Sequence, residues 1–273
     1  MAELITSSAN PVVKRMRLLA ERKHRRREGA FVVQGIQPVW QAVEAGAPIE
    51  TLIVAPGLLG HSAAARRIAQ MVAAQEASGI RVARLSDELF GRLSDREGAP
   101  GLAAIVRGRL AGLDTLPAGP DAVVVALHEI GNPGNLGTII RTANAAGAAG
   151  VVLVGQATDP FDPAAVKASM GALFSLPVAQ VAGPGEFFGW AAARGITVVA
   201  TSARAPRSFW AASYPRPLAL LLGAEGAGLP DDVLARGDVQ VRIPMAGTAE
   251  SLNLAVAAGL LLYEVNRQSG NLA

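Results

Sequence analysis

The 273-residue chain has no cysteine and only three histidines, His24, His61 and His128. The first absence excludes disulfides and thiolate metal sites, and the second argues against a histidine-built metal centre, so no metal is expected. No apolar run reaches the length that spans a bilayer, and the N-terminal MAELITSSANPVVKRMR lacks the apolar core of a signal peptide. A cytoplasmic protein with no membrane partner is expected. What the chain has in quantity is apolar residues, 51% of the total, enough to fill two cores.

Charge is sparse and unevenly placed. The net charge is +3, yet residues 1–29 hold eight cations against Glu3, Glu21 and Glu28, so that piece alone is +5 and the remainder is −2. Asn10-Pro11 opens a helix, with a capping side chain followed by proline at the first helical position, and the helix is expected to run to about Glu28. Five cations crowd the six residues Arg22 to Arg27. A solvated face is the bland explanation; mutual repulsion of that density favours a polyanion opposite. Lys14, Arg22, Lys23, Arg25, Arg26 and Arg27 are therefore expected to contact RNA phosphates.

Short strands and helices alternate from Phe31 to Arg107, which reads as a compact α/β layer over residues 1–109. Residues 110–121, LAGLDTLPAGPD, are rich in Gly and Pro without periodicity and are expected to be a linker. In 122–273, apolar strands such as Ala122 to Leu127 alternate with helices. Repeated βα units imply a mostly parallel sheet that binds ligands at the carboxyl ends of its strands. Between strands at Val151 and Leu176 only a polar turn with Asp159, Asp162 and Lys167 is expected. The closing helix, with Leu254, Val256, Leu260, Leu261 and Val265, is apolar almost all round and is expected to be buried on most faces.

Three segments stand at such strand ends. Asn132 to Gly155 begins NPGNLGTIIRTAN, Leu221 to Pro230 reads LLGAEGAGLP, and Ile243 to Glu264 begins IPMAGTAESLNLAV. The first carries G-x-x-G-x-x-G at Gly131, Gly134 and Gly137. This spacing differs from the dinucleotide fingerprint, and Pro133 removes an amide inside the turn, so an NAD-dependent oxidoreductase is a minor alternative. Asn135 and Arg141 are six residues apart on the following helix, able to reach one pocket from its edge. In the second segment three glycines surround Glu225, so the loop bends sharply or lies close to a ligand. Composition and spacing alone stop at a small-ligand α/β domain beside a basic module; a non-enzymatic RNA-binding protein also fits them.

Taken together and in this order, the three segments resemble the motifs of the SpoU, or TrmH-like, RNA 2′-O-ribose methyltransferases of the SPOUT class. The resemblance implies a C-terminal α/β domain with a deep trefoil knot, preceded by a small L30e-like α/β domain that binds RNA. It implies S-adenosylmethionine as cofactor, held by Leu222, Gly223, Ile243, Met245, Leu252 and Asn253, and Asn135, Arg141, Glu225, Ser251 and Asn253 as catalytic residues. A homodimer is implied as well, with catalytic residues of one subunit near the cofactor of the other. The expected reaction is attack of a ribose 2′-hydroxyl on the cofactor's methyl group, with 23S ribosomal RNA favoured over transfer RNA as substrate. Guanidinium stays protonated, so Arg141 is read either as the general base of the family proposal or as a clamp on the target phosphate.

Overall fold

The computed structural model describes residues 4–94 and 98–270. The chain forms two compact units: the first comprises residues up to Arg109 together with Phe161–Phe174, the second Leu110–Pro160 and the chain from Ser175 onward.

The first unit opens with α1 (Pro11–Leu18) and α2 (Arg22–Glu28), followed by β1 (Ala30–Gln34), α3 (Ile36–Glu44), β2 (Ile49–Val54), α4 (Pro56–Leu59), α5 (Ala63–Ala77), β3 (Arg81–Arg84), α6 (Asp87–Gly91) and β4 (Leu102–Arg107). The sheet order is β1-β4-β2-β3, antiparallel except between β2 and β3. Because successive strand residues face opposite sides, β4 sends Leu102, Ala104 and Val106 into one core and Ala103 and Ile105 into another. The second of these cores is closed by Val12, Val13, Met16 and Leu19, the apolar stripe of the N-terminal segment.

That segment is not one helix. Glu21 is extended (φ −91°, ψ 132°), and the break separates α1 from α2. The break turns Arg25 inward. It is buried, 4% exposed, and its guanidinium donates to the carbonyl oxygens of Leu19 and Ala20 and pairs with Asp162 at 3.1 Å. Arg25 therefore satisfies carbonyls left open at the helix end, which corrects its expected place among the RNA-facing cations. Lys14, Arg22, Lys23, Arg26 and Arg27 are exposed. Lys23 lies 2.9 Å from Glu21, and Arg27 lies 3.5 Å from Glu28.

The second unit begins within the stretch expected as a linker. Leu116 is buried in its core, and Ala111 bridges to Ala179. The elements that follow are β5 (Val123–His128), α7 (Pro133–Ala145), β6 (Gly150–Val154), α8 (Pro163–Ser169), β7 (Val178–Val181), α9 (Pro184–Ala193), β8 (Thr197–Thr201), β9 (Arg207–Ser208), β10 (Leu218–Leu222), α10 (Asp231–Leu234), β11 (Val239–Arg242) and α11 (Leu254–Ser269). The seven strands run in the order β7-β6-β5-β10-β8-β11-β9 with every neighbouring pair parallel. The central strands β5, β6 and β10 are buried along their whole length, as expected of a sheet covered on both faces. Helices α7 and α11 pack together, and Asn266 of α11 donates to the Ala146 carbonyl at 2.7 Å and accepts from Arg216 at 2.8 Å.

Helix α8 belongs to the first unit, although it lies between β6 and β7 in the chain. Asp162 caps it by accepting from the Ala164 N–H at 3.0 Å, and Val166, Phe161 and Phe174 join the core around Phe31. The Phe31 and Phe161 rings stack at 4.7 Å. The polar residues Asp162 and Lys167 suggest a turn, but an N-cap followed by proline at the first helical position starts a helix here.

Removing the Arg25 guanidinium leaves the carbonyls of Leu19 and Ala20 and the part-buried Asp162 carboxylate without their donor. Arg25→Ala is therefore expected to lower unfolding stability by about 2 kcal/mol, whereas Arg26→Ala stays within about 0.5 kcal/mol. Urea denaturation of the two variants checks this contrast.

Candidate active site

Each of the three motif segments leaves the sheet at the carboxyl end of a strand. Following β5, Asn132 caps α7 by accepting from the Asn135 N–H at 3.0 Å. Following β10, the loop from Gly223 to Gly228 closes on itself. Ala224 N–H donates to the Gly228 carbonyl at 3.2 Å, and Gly228 N–H donates to that of Ala224 at 2.9 Å. A Cβ on Gly223 would stand 2.0 Å from the Gly228 carbonyl carbon, so only glycine fits where the loop doubles back. Following β11, the chain runs to Asn253, which caps α11 by accepting from the N–H groups of Ala255 at 2.9 Å and Val256 at 3.4 Å.

Side-chain hydrogen bonds join the three. Asn253 Nδ2 donates to Asn135 Oδ1 at 2.9 Å, and Asn135 Nδ2 donates to Glu225 Oε1 at 3.0 Å. The Gly131 N–H donates to Glu225 Oε2 at 3.1 Å. The direction of this relay is fixed at its start. Helix α11 presents N–H donors, so Asn253 must turn Oδ1 to them and its NH2 outward; Asn135 must then meet it with Oδ1, which aims its own NH2 at the carboxylate. Burial of the Glu225 carboxyl acts to raise its pKa, but hydrogen bonds from Asn135 and from the backbone amides of Glu225, Gly131 and Asn132 outweigh it and hold the group below the usual carboxylate range.

The relay forms one wall of a cleft of about 660 Å³ within the second unit. Leu222, Gly223 and Ile243 line this cleft, as do Met245, Ser251 and Leu252. The structure thus gathers around one cavity every residue expected to touch the cofactor, together with Asn135, Glu225, Ser251 and Asn253. Arg141 is apart from them. It is exposed on α7, does not line the cleft, and its guanidinium makes no hydrogen bond or ion pair among the described residues. Its expected approach to the pocket edge is not made within one chain.

Sequence reading missed the end of β8 and one backbone donor. Thr201, Ser202 and Arg204 at the end of β8 also line the cleft, and Arg204 pairs with Asp231 at 2.9 Å. Their signal was available, because β8 ends beside β10 and ligands collect at the carboxyl ends of parallel strands. The backbone donor at Gly131 had no side-chain signature. Among the described residues no group of three or more His, Asp or Glu is arranged to hold a metal ion.

Because the pKa of Glu225 is lowered on folding, its stabilising contribution is present above the ordinary carboxylate pKa and is lost as pH falls through the lowered value. Glu225→Gln places an amide where two donors require acceptors. The stability gap between wild type and this variant is expected to be at most about 1 kcal/mol at neutral pH, since the site is partly solvent-screened, and to close on acidification. Urea titrations across the acidic range measure it.

Comparison with known proteins agrees with this arrangement. Residues 122–263 match the model of the SpoU rRNA Methylase family, and residues 10–104 match that of the MRM3-like substrate binding domain. A 23S rRNA (uridine(2479)-2′-O)-methyltransferase of Streptomyces viridochromogenes is 38% identical over 256 residues, covering 92% of this chain and 87% of that protein. The crystal structure of an AdoMet-bound rRNA methyltransferase from Sinorhizobium meliloti superposes with a TM-score of 0.88 at 35% identity, covering 97% of this chain and 98% of that one. The AdoMet complex of the SpoU methyltransferase AviRb from Streptomyces viridochromogenes superposes with a TM-score of 0.83 at 35% identity, covering 95% and 98%. Three motifs joined by one relay, on a fold shared over nearly the whole chain, place this protein in the SpoU rRNA methylase family.

Proposed function

We propose that the protein methylates a ribose 2′-hydroxyl of 23S ribosomal RNA with S-adenosylmethionine as donor. The observation that carries this reading is the Asn253–Asn135–Glu225 relay standing on the wall of the cleft. RNA follows from the reaction, since DNA has no 2′-hydroxyl. Two of the relatives named above act on ribosomal RNA by name, and that favours it over transfer RNA.

The cleft suits the cofactor. Leu222, Ile243 and Leu252 give it apolar walls, and the loop that doubles back at Gly223 lines it with main chain. When bound, S-adenosylmethionine supplies a methyl group already activated on a sulfonium. What remains for the protein is alignment and removal of the hydroxyl proton. Glu225 is a poor acceptor for that proton. Both its oxygens accept hydrogen bonds and its pKa is held low, so its role is to hold Asn135 and the turn at Gly131 in place. Ser251, exposed at the mouth of the cleft beside Asn253, would orient the target nucleotide.

Arg141 enters from a second subunit. Val256, Leu260 and Tyr263, at i, i+4 and i+7 on α11, are 51%, 43% and 50% exposed in the single chain, contrary to the expectation of a helix buried on most faces. Leu260 and Tyr263 share one apolar groove with Trp210 and Met245. A contiguous exposed apolar stripe of this kind marks an interface, and a two-fold dimer would cover it with itself. The α7 of each subunit would then bring Arg141 to the other's cleft as phosphate clamp, leaving a phosphate oxygen or water to accept the proton.

Transfer of radiolabelled methyl to 23S rRNA, with transfer RNA alongside, tests the assignment; label in transfer RNA alone overturns the substrate. Arg141→Ala is expected to lose roughly 10²-fold or more in rate while retaining cofactor affinity. Leu260→Glu is expected to yield a monomer by light scattering and to abolish transfer. Mixed dimers of Arg141→Ala with Asn135→Ala subunits should regain part of the activity; if the mixture stays inactive, Arg141 does not act across the interface.

A further inference from the structure

The first unit contains a cavity of about 250 Å³ of its own, built from four separate stretches of its chain. Three cations from three elements line it: Arg17 on α1, Arg92 just past α6 and Lys167 on α8. Arg15, Arg25, Arg84 and Arg107 of the same unit are each paired with carboxylates. Arg17 and Lys167, in contrast, are exposed and have no carboxylate partner among the described residues. Arg92 has only a surface pair with Glu88, 65% and 77% exposed, which an incoming anion can readily replace.

Less exposed than these cations are the apolar lining residues Val32, Leu93 and Val166 and one polar side chain, Gln34. Its Nε2 donates to the Leu93 carbonyl at 3.1 Å, which fixes the amide's orientation and leaves Oε1 without a donor among the described residues. A cavity with an apolar floor, a single open acceptor and a rim of three cations matches a ligand that is flat and apolar on its faces, carries an N–H at its edge and is anionic at one end. A nucleotide has that chemistry. Unstacked bases of single-stranded RNA are read in this way, on apolar or guanidinium surfaces with hydrogen bonds to their edges, while Lys and Arg hold the phosphates.

We infer that this cavity holds one unstacked nucleotide of the RNA substrate, its base on the Val32, Leu93 and Val166 floor with an edge N–H to Gln34, and its phosphates on Arg17, Arg92 and Lys167. The inference rests on RNA being the substrate. It also gives α8 a purpose: this helix carries Val166 and Lys167 into the first unit and is fastened there by the Arg25–Asp162 ion pair.

The test uses the full chain and the four ribonucleoside 5′-monophosphates, with inorganic phosphate as the control, followed by the NMR signals of the Gln34 side-chain amide. At least one nucleotide is expected to shift those signals and to bind more tightly than phosphate. Ala20→Trp, which fills the cavity without removing a charge, is expected to abolish the shift. Arg17→Ala and Lys167→Ala are each expected to weaken 23S rRNA binding several-fold and to lower its logarithmic salt slope by about 1. Should Ala20→Trp not fold, Lys167→Glu on the exposed face of α8 carries the same test. Nucleotides binding no better than phosphate, or a filled cavity that binds them as wild type does, would overturn the inference. Affinity for S-adenosylmethionine, measured on every variant, reports on the other unit. A protein that binds nucleotides here yet methylates no RNA would instead count against the proposed reaction.

Discussion

The catalytic half of the molecule depends on a helix start. The Asn253 side chain has one oxygen, and the first N–H groups of α11 claim it; everything downstream follows in order, from the outward NH2 of Asn253, through the orientation of Asn135, to the carboxylate of Glu225. An amide relay with one end fixed by backbone has a single self-consistent direction. Three loops that leave the sheet at different strands are thereby locked to one another through four polar groups. The cleft between them needs no further scaffold than the parallel sheet that brings the strand ends side by side.

In the proposed reaction this makes the carboxylate an organiser rather than a base. A proton acceptor works best with its pKa near the working pH; burial moves Glu225 that way, but its hydrogen bonds outweigh burial and hold it low. In the proposed dimer, the exposed apolar stripe of α11 would be covered and Arg141 on the adjoining α7 would reach the cleft of the other copy, so that a cofactor site formed by one chain becomes a reaction site only with two.

Features set by neighbouring residues were legible in the sequence. The α/β alternation, the cap at Asn10, the sharp loop around Glu225 and the parallel sheet all follow from short-range turn chemistry and apolar runs. Contacts across long spans were not. Asn135 lies 90 residues from Glu225 and 118 from Asn253, and no local pattern announces that their side chains meet. Arg25 looks like its neighbours in a basic run, and only the break at Glu21 turns it inward. Helix α8 was masked by its polar residues, since Phe161, Val166 and Phe174 find their apolar partners more than a hundred residues earlier, around Phe31.

The route of α8 bears on how such proteins can be assembled in evolution. Neither unit is an unbroken length of polypeptide, because a short excursion from the second completes the core of the first. Fusing or deleting the N-terminal unit at a single junction near residue 110 would strand an apolar helix in one product and open a hole in the other. Exchange of the recognition module among relatives therefore requires a matched change in the loop between β6 and β7, and a gene that has gained or lost that module should carry the scar of it there.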